Sequence, residues 1–121
     1  MKFVVLSTDP EVLAAQEKAF HPDDEVVVTG DWPEALEACE GADMIFVDLI
    51  ATLDKPHKIA GYERFAEAKM TSPIAKTTPL ILIWPPEDYD LDFMTGYPDF
   101  VFQSIRRPVT YQQIRRATTY I

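Results

Sequence analysis

Met44-Ile45-Phe46-Val47-Asp48 is a run of four apolar residues closed by a carboxylate, and its reading decides the fold. Apolar side chains on consecutive positions suit a strand covered on both faces, as strands of parallel sheets are. The same pattern recurs at Phe3-Val4-Val5-Leu6 and at Leu80-Ile81-Leu82-Ile83-Trp84. In an open parallel sheet the carboxyl ends of the strands form the ligand crevice, so Asp48 is expected to face a site.

Working outward, helix signals alternate with these runs. Asp9-Pro10-Glu11 sets a capping carboxylate before a first-turn proline, and helix 1 is expected to run to about Phe20, with Val12, Leu13, Gln16 and Ala19 on one face. Glu25 to Thr29 reads as strand 2. Asp31-Trp32-Pro33-Glu34 has the order of a capping box and opens a helix ending near Gly41. Strand 3 covers Ala42 to Val47 and ends on Asp48. After a loop from Leu49 to Lys58, helix 3 runs from Ile59 or Ala60 to about Met70, and strand 4 from Leu80 to Trp84. Glu87 to Thr95 is expected as a short or irregular helix, Phe100 to Phe102 as strand 5, and Val109 to Ile121 as the last helix, with Ile114 facing inward. Five strands alternating with about five helices, joined by right-handed crossovers, give a single doubly wound three-layer α/β sandwich over residues 1–121.

Composition excludes several functions. The formal net charge is −9, and it is uneven: residues before 100 carry 7 − 20 = −13, whereas Arg106, Arg107, Arg115 and Arg116 give the last stretch +4. One helix-sized basic patch does not make a nucleic-acid face, so a protein partner is expected instead. The apolar runs are strand length and no membrane span is expected. A single cysteine, Cys39, allows no internal disulfide, and with no secretory leader pattern after Met1 a cytoplasmic location is the expectation. His21 and His57 stand 36 positions apart, without metal-ligand spacing. No nucleophile elbow, dinucleotide fingerprint or phosphate-binding glycine loop is present.

In the segment Phe46-Val47-Asp48-Leu49, in Gly61-Tyr62-Glu63 and in Arg107-Pro108, the chain resembles response-regulator receiver domains, the CheY-like family, over essentially its whole length. The resemblance implies a flavodoxin/CheY-like sheet of order 2-1-3-4-5, with Asp48 at the phosphoacceptor position and Arg107 where the family has a lysine. It also implies an acidic pair holding Mg2+ after strand 1, where this chain has Ser7 and Thr8, and a small hydroxyl residue closing strand 4, where it has Trp84. Asp9 follows one place late and reads as the cap of helix 1; Asp9 and Asp48 are the only weak metal candidates. With neutral oxygens in place of carboxylates, Mg2+ affinity is expected to fall, and phosphoryl transfer would lose its main electrostatic support.

The expectation is therefore a non-enzymatic pseudo-receiver without a cofactor. It would signal by protein contact through the face of the fourth helix, strand 5 and the fifth helix, where Asp88 and Asp92 oppose Arg106, Arg115 and Arg116. Acidic and basic helices on one face would suit a homodimer with two-fold symmetry. Two alternatives stand beside it: a true phosphorelay receiver, Mg2+-dependent and phosphorylated on Asp48, and a small-molecule or anion sensor in the crevice around Asp48, Trp84 and Arg107.

Overall fold

The computed structural model describes residues 1–92 and 100–120. In chain order the elements are β1 (Lys2–Leu6), α1 (Pro10–Ala19), β2 (Glu25–Thr29), α2 (Trp32–Ala38), β3 (Met44–Asp48), a 3-10 turn (Leu49–Thr52), α3 (Ala60–Thr71), β4 (Leu80–Ile83), β5 (Gln103–Ile105), α4 (Tyr111–Ala117) and a closing 3-10 turn (Thr118–Tyr120). All strand pairs are parallel, and the sheet order is β2-β1-β3-β4-β5.

Two cores lie on opposite faces of this sheet, because side chains alternate along a strand. Val4, Leu6, Ile45, Val47, Leu80 and Leu82 pack under α2 and α3, against Leu36, Tyr62 and Phe65. Phe3, Val5, Met44, Phe46, Ile81 and Ile83 pack under α1 and α4, against Val12, Ala15 and Ile114. Asp48 shares the parity of Met44 and Phe46, so it ends β3 on the α1/α4 side.

Local chemistry explains the helix starts. The Asp9 carboxylate accepts from Glu11 N at 2.9 Å at the head of α1, and Asp31 accepts from Glu34 N at 3.3 Å at the head of α2. The expected capping box at α2 is not made. Glu34 instead accepts from the Thr29 hydroxyl at 3.2 Å. A box does form at α4, where Thr110 and Gln113 satisfy each other's backbone N–H groups. Helix α2 stops at Ala38, and Gly41 turns the chain at φ +73°, a conformation open to glycine at little cost. Gly61 in the first turn of α3 is needed for space: a Cβ there would stand 2.4 Å from Thr52 O and 2.7 Å from Asp54 N.

Other boundaries differ from the sequence reading. In α1 the buried residues are Val12, Ala15 and Ala19, so Ala15 replaces Leu13 and Gln16 on the covered face. Strand β5 is Gln103–Ile105 rather than Phe100 to Phe102. Phe100 packs edge-on against Tyr62 and Phe65 with centroids 6.3 and 6.1 Å away, which with Val101 draws it into packing against the α2/α3 core. An edge strand with one exposed face can then be mostly polar. The segment 87–92 is turn and extended chain, not helix; the expected helix beyond Asp92 lies outside the described residues. Helix α4 closes at Ala117, and a tighter 3-10 turn replaces its expected last turn.

Candidate functional site

The site is built where β1, β3 and β5 end. Asp48 is 1% exposed, and both of its oxygens are in use. Oδ2 accepts from the Ser7 hydroxyl at 2.8 Å, and Oδ1 accepts from Ile50 N at 3.3 Å and from Arg107 Nη2 at 2.8 Å. Ser7, buried at the end of β1, accepts in turn from Asp9 N at 3.0 Å.

Arg107 is the centre of the arrangement. Its Nη1 lies 2.9 Å from Asp9 Oδ2 and 3.1 Å from Glu11 Oε2, so one guanidinium bridges three carboxylates. Glu11 also accepts from Val109 N at 3.2 Å, tying α1 to the chain after the cis Arg107–Pro108 bond. The local charge is 1 − 3 = −2. Arg107 Nε is buried with no partner among the described residues.

Burial and pairing pull these groups in opposite directions. Burial pushes the Asp48 carboxyl up from its ordinary range, while Ser7, Arg107 and Ile50 N stabilise the charged form without fully offsetting it. For Arg107, burial also works against the charge, but the nearby Asp48 carboxylate, with help from Glu11 and Asp9, prevails and raises its pKa. Arg107 is thus the fixed charge of the pair, since a guanidinium does not deprotonate in proteins, and Asp48 is the member whose charge costs more to bury.

Mg2+ requires near-octahedral oxygen ligands and usually one or two carboxylates free to turn toward it. Here the Asp48 oxygens and Glu11 Oε2 already accept N–H or O–H donors, Asp9 Oδ2 is ion-paired with Arg107 Nη1, and the cation among them is Arg107. As arranged, these residues do not fit a Mg2+ ion, and no metal-competent group of three His, Cys, Asp or Glu occurs among the described residues.

The remaining sequence candidates fall elsewhere. Thr8 is exposed and turned from Asp48, its methyl set close above Gly30, where a Cβ would come within 2.4 Å of it. Trp84 continues the β4–β5 ladder through its N–H to Ile105 O at 2.9 Å and packs partly against the α2/α3 core. With Arg106 and Arg107 it lines a cavity of about 270 Å3 whose wall does not include the sealed Asp48. Of the expected partner face, Asp88, Asp92, Arg106, Arg115 and Arg116 are all exposed. Asp92 also accepts from Ile59 N at 2.7 Å, and Arg115 reaches the end of α1, donating to Lys18 O at 2.7 Å and Ala19 O at 3.3 Å. Two of these five residues thus make contacts within the chain as well.

Two features were not anticipated. Glu11 joins the site although 96 positions separate it from Arg107; its place in the first turn after Asp9 was the available signal. His57, at φ +65°, stacks on Tyr89 with centroids 4.4 Å apart and joins the loop after β3 to the loop after β4. No sequence spacing announces that link.

Comparison with solved structures gives the same architecture. A CheY-like response regulator receiver domain protein from Methanospirillum hungatei JF-1 superposes with a TM-score of 0.71 at 11% identity, covering 98% of this chain and 91% of that one. The N-terminal domain of a response regulator receiver protein from Methanoculleus marisnigri JR1 gives 0.62 at 18%, covering 99% and 94%. The bacteriophytochrome response regulator AtBRR gives 0.62 at 19%, covering 98% and 89%. No family model and no curated protein matches the sequence. The chain has the receiver fold. Among the described residues no helix is long and apolar enough to cross a membrane.

Proposed function

We propose that the chain is a pseudo-receiver: a non-enzymatic signalling module that works through protein contacts and uses neither Mg2+ nor phosphorylation of Asp48. The carrying observation is the Arg107 guanidinium seated on Asp48, Asp9 and Glu11. A phosphoacceptor needs a free carboxylate oxygen and a metal to neutralise the incoming phosphoryl group. Arg107 supplies charge to this pocket but takes up the oxygens a metal would use. Asp48 then serves the fold, fixing β3 to β1 and β5.

Partner contact is read onto the exposed end of β5 and α4, where Arg106 and Arg116 form no ion pair among the described residues and Asp88 lies exposed in the neighbouring loop. Rim charges of this kind govern encounter rate and register more than affinity. The test is incubation with acetyl phosphate and Mg2+ followed by intact-mass analysis. The reading expects no adduct on Asp48; a stoichiometric, Mg2+-dependent phosphoryl adduct removed by Asp48→Asn would replace it with the phosphorelay reading. Ultracentrifugation at low and high salt tests self-association, with salt-sensitive dimer expected if the partner is a second copy.

A further inference from the structure

At the end of the sheet opposite Asp48, the start of β4, the C-terminal turn of α3 and the chain entering β5 enclose a cleft of about 600 Å3. That volume lies within the usual range of small-molecule sites. Its wall is unlike the acidic surface of the chain. Lys69 and Lys76 line it together with Met70, Phe100, Val101 and Phe102, and the described lining contains no carboxylate, although the net charge of the whole chain is −9.

Lys69 is the unusual member. It is 3% exposed, its Nζ donates to Thr78 O at 2.7 Å, and it stands 5.5 Å from the centroid of the Phe100 ring. An ammonium has three donors, and among the described residues Lys69 meets a neutral carbonyl, an aromatic face and the nearby Cys39, with no carboxylate paired to it. Burial pushes the Lys69 ammonium down from its usual range, so an anion in the cleft would favour the charged form. Beside it the apolar wall stays wet: Met70 is 45% and Phe102 46% exposed.

We propose that this cleft binds a small amphipathic carboxylate, with its anionic head at Lys69 and Lys76 and its apolar body along Met70, Val101 and Phe102. The site is independent of Asp48 and of the pseudo-receiver reading. Cation and apolar wall lie side by side, which selects a molecule carrying both features over inorganic anions or neutral hydrocarbon.

Titration of the 15N-labelled chain with octanoate, and separately with octanol, tests this. Octanoate should give saturable shifts confined to amides at 69–70, 76–78, 80 and 100–102, and octanol should bind about tenfold more weakly. Lys69→Met should weaken octanoate about tenfold, and Lys76→Met, an exposed position that leaves the fold intact, about threefold. Absence of saturable shifts, shifts scattered over the surface, equal binding of octanol, or unchanged octanoate affinity in Lys76→Met and Lys69→Met would each overturn the assignment.

Discussion

Replacing Arg107 with methionine keeps the aliphatic stem and removes the charge, and its cost follows from which carboxylates lose a partner. The side chains of Asp9 and Glu11 are 31% and 41% exposed; water can replace Arg107 there, so each of those pairs contributes under about 1 kcal/mol. The Asp48 side chain is 2% exposed and would keep only the neutral donors Ser7 Oγ and Ile50 N. Leaving a buried charge without its counter-ion costs about 3–5 kcal/mol, a large share of the roughly 5–15 kcal/mol by which a domain is stable. Arg107→Met is therefore expected to lose about 3–5 kcal/mol in urea unfolding followed by far-UV circular dichroism at pH 7. Asp48→Asn removes the buried charge but keeps an oxygen acceptor, and it lowers the excess of carboxylates, so alone it should stay within about 1 kcal/mol of the parent. The double variant should then recover at least about 2 kcal/mol relative to Arg107→Met. A loss below about 1 kcal/mol for Arg107→Met, or no recovery in the double variant, would refute the claim that Arg107 exists chiefly to hold Asp48.

Asp48 also sets a pH dependence. Its folded pKa is raised above 3.8, so its contribution to stability is fully present below that value and is lost as pH rises through the folded pKa. Asp48→Asn should therefore gain stability relative to the parent from about pH 4 upward, measured by urea unfolding across pH; a constant difference would contradict the raised pKa. Gly61→Ala sets a helix-propensity gain of about 1 kcal/mol against overpacking of about 1–3 kcal/mol or more. The nearest atoms are backbone at 2.4 and 2.7 Å and cannot yield, so a net loss in chemical denaturation is expected. Thr110→Ala removes half of the α4 capping box and should cost about 1 kcal/mol, with Thr110→Ser restoring most of it in the same assay.

The parts of this fold legible in the sequence are those where one physical signal dominates. β1, β3 and β4 are apolar on consecutive positions because helices cover both faces, and that alone places Asp48 at a strand end. β5 is not legible in this way because an edge strand needs only one buried residue, Ile105, whereas the more apolar Phe100 to Phe102 serves helix packing and the cleft. The acidic stretch 87–92 has helix-length spacing of apolar residues, but Tyr89, Asp90 and Asp92 are held by His57 and Ile59, contacts made across more than 30 positions. Within the site, Asp48, Ser7 and Arg107 could be nominated by their positions on the strands. Their joint geometry could not, because it depends on the relative depth of three strand ends and on Glu11 reaching across from α1.

The most direct measurement is the 15N–1H spectrum of the unmodified chain titrated with Mg2+, observed at the amides of Ser7, Asp9, Asp48 and Arg107. With Arg107 as the resident cation, these four signals should stay in place while only weak, unsaturated shifts appear at exposed carboxylates. Saturable movement of all four at a common Mg2+ concentration would show that the metal displaces Arg107, and would contradict the account.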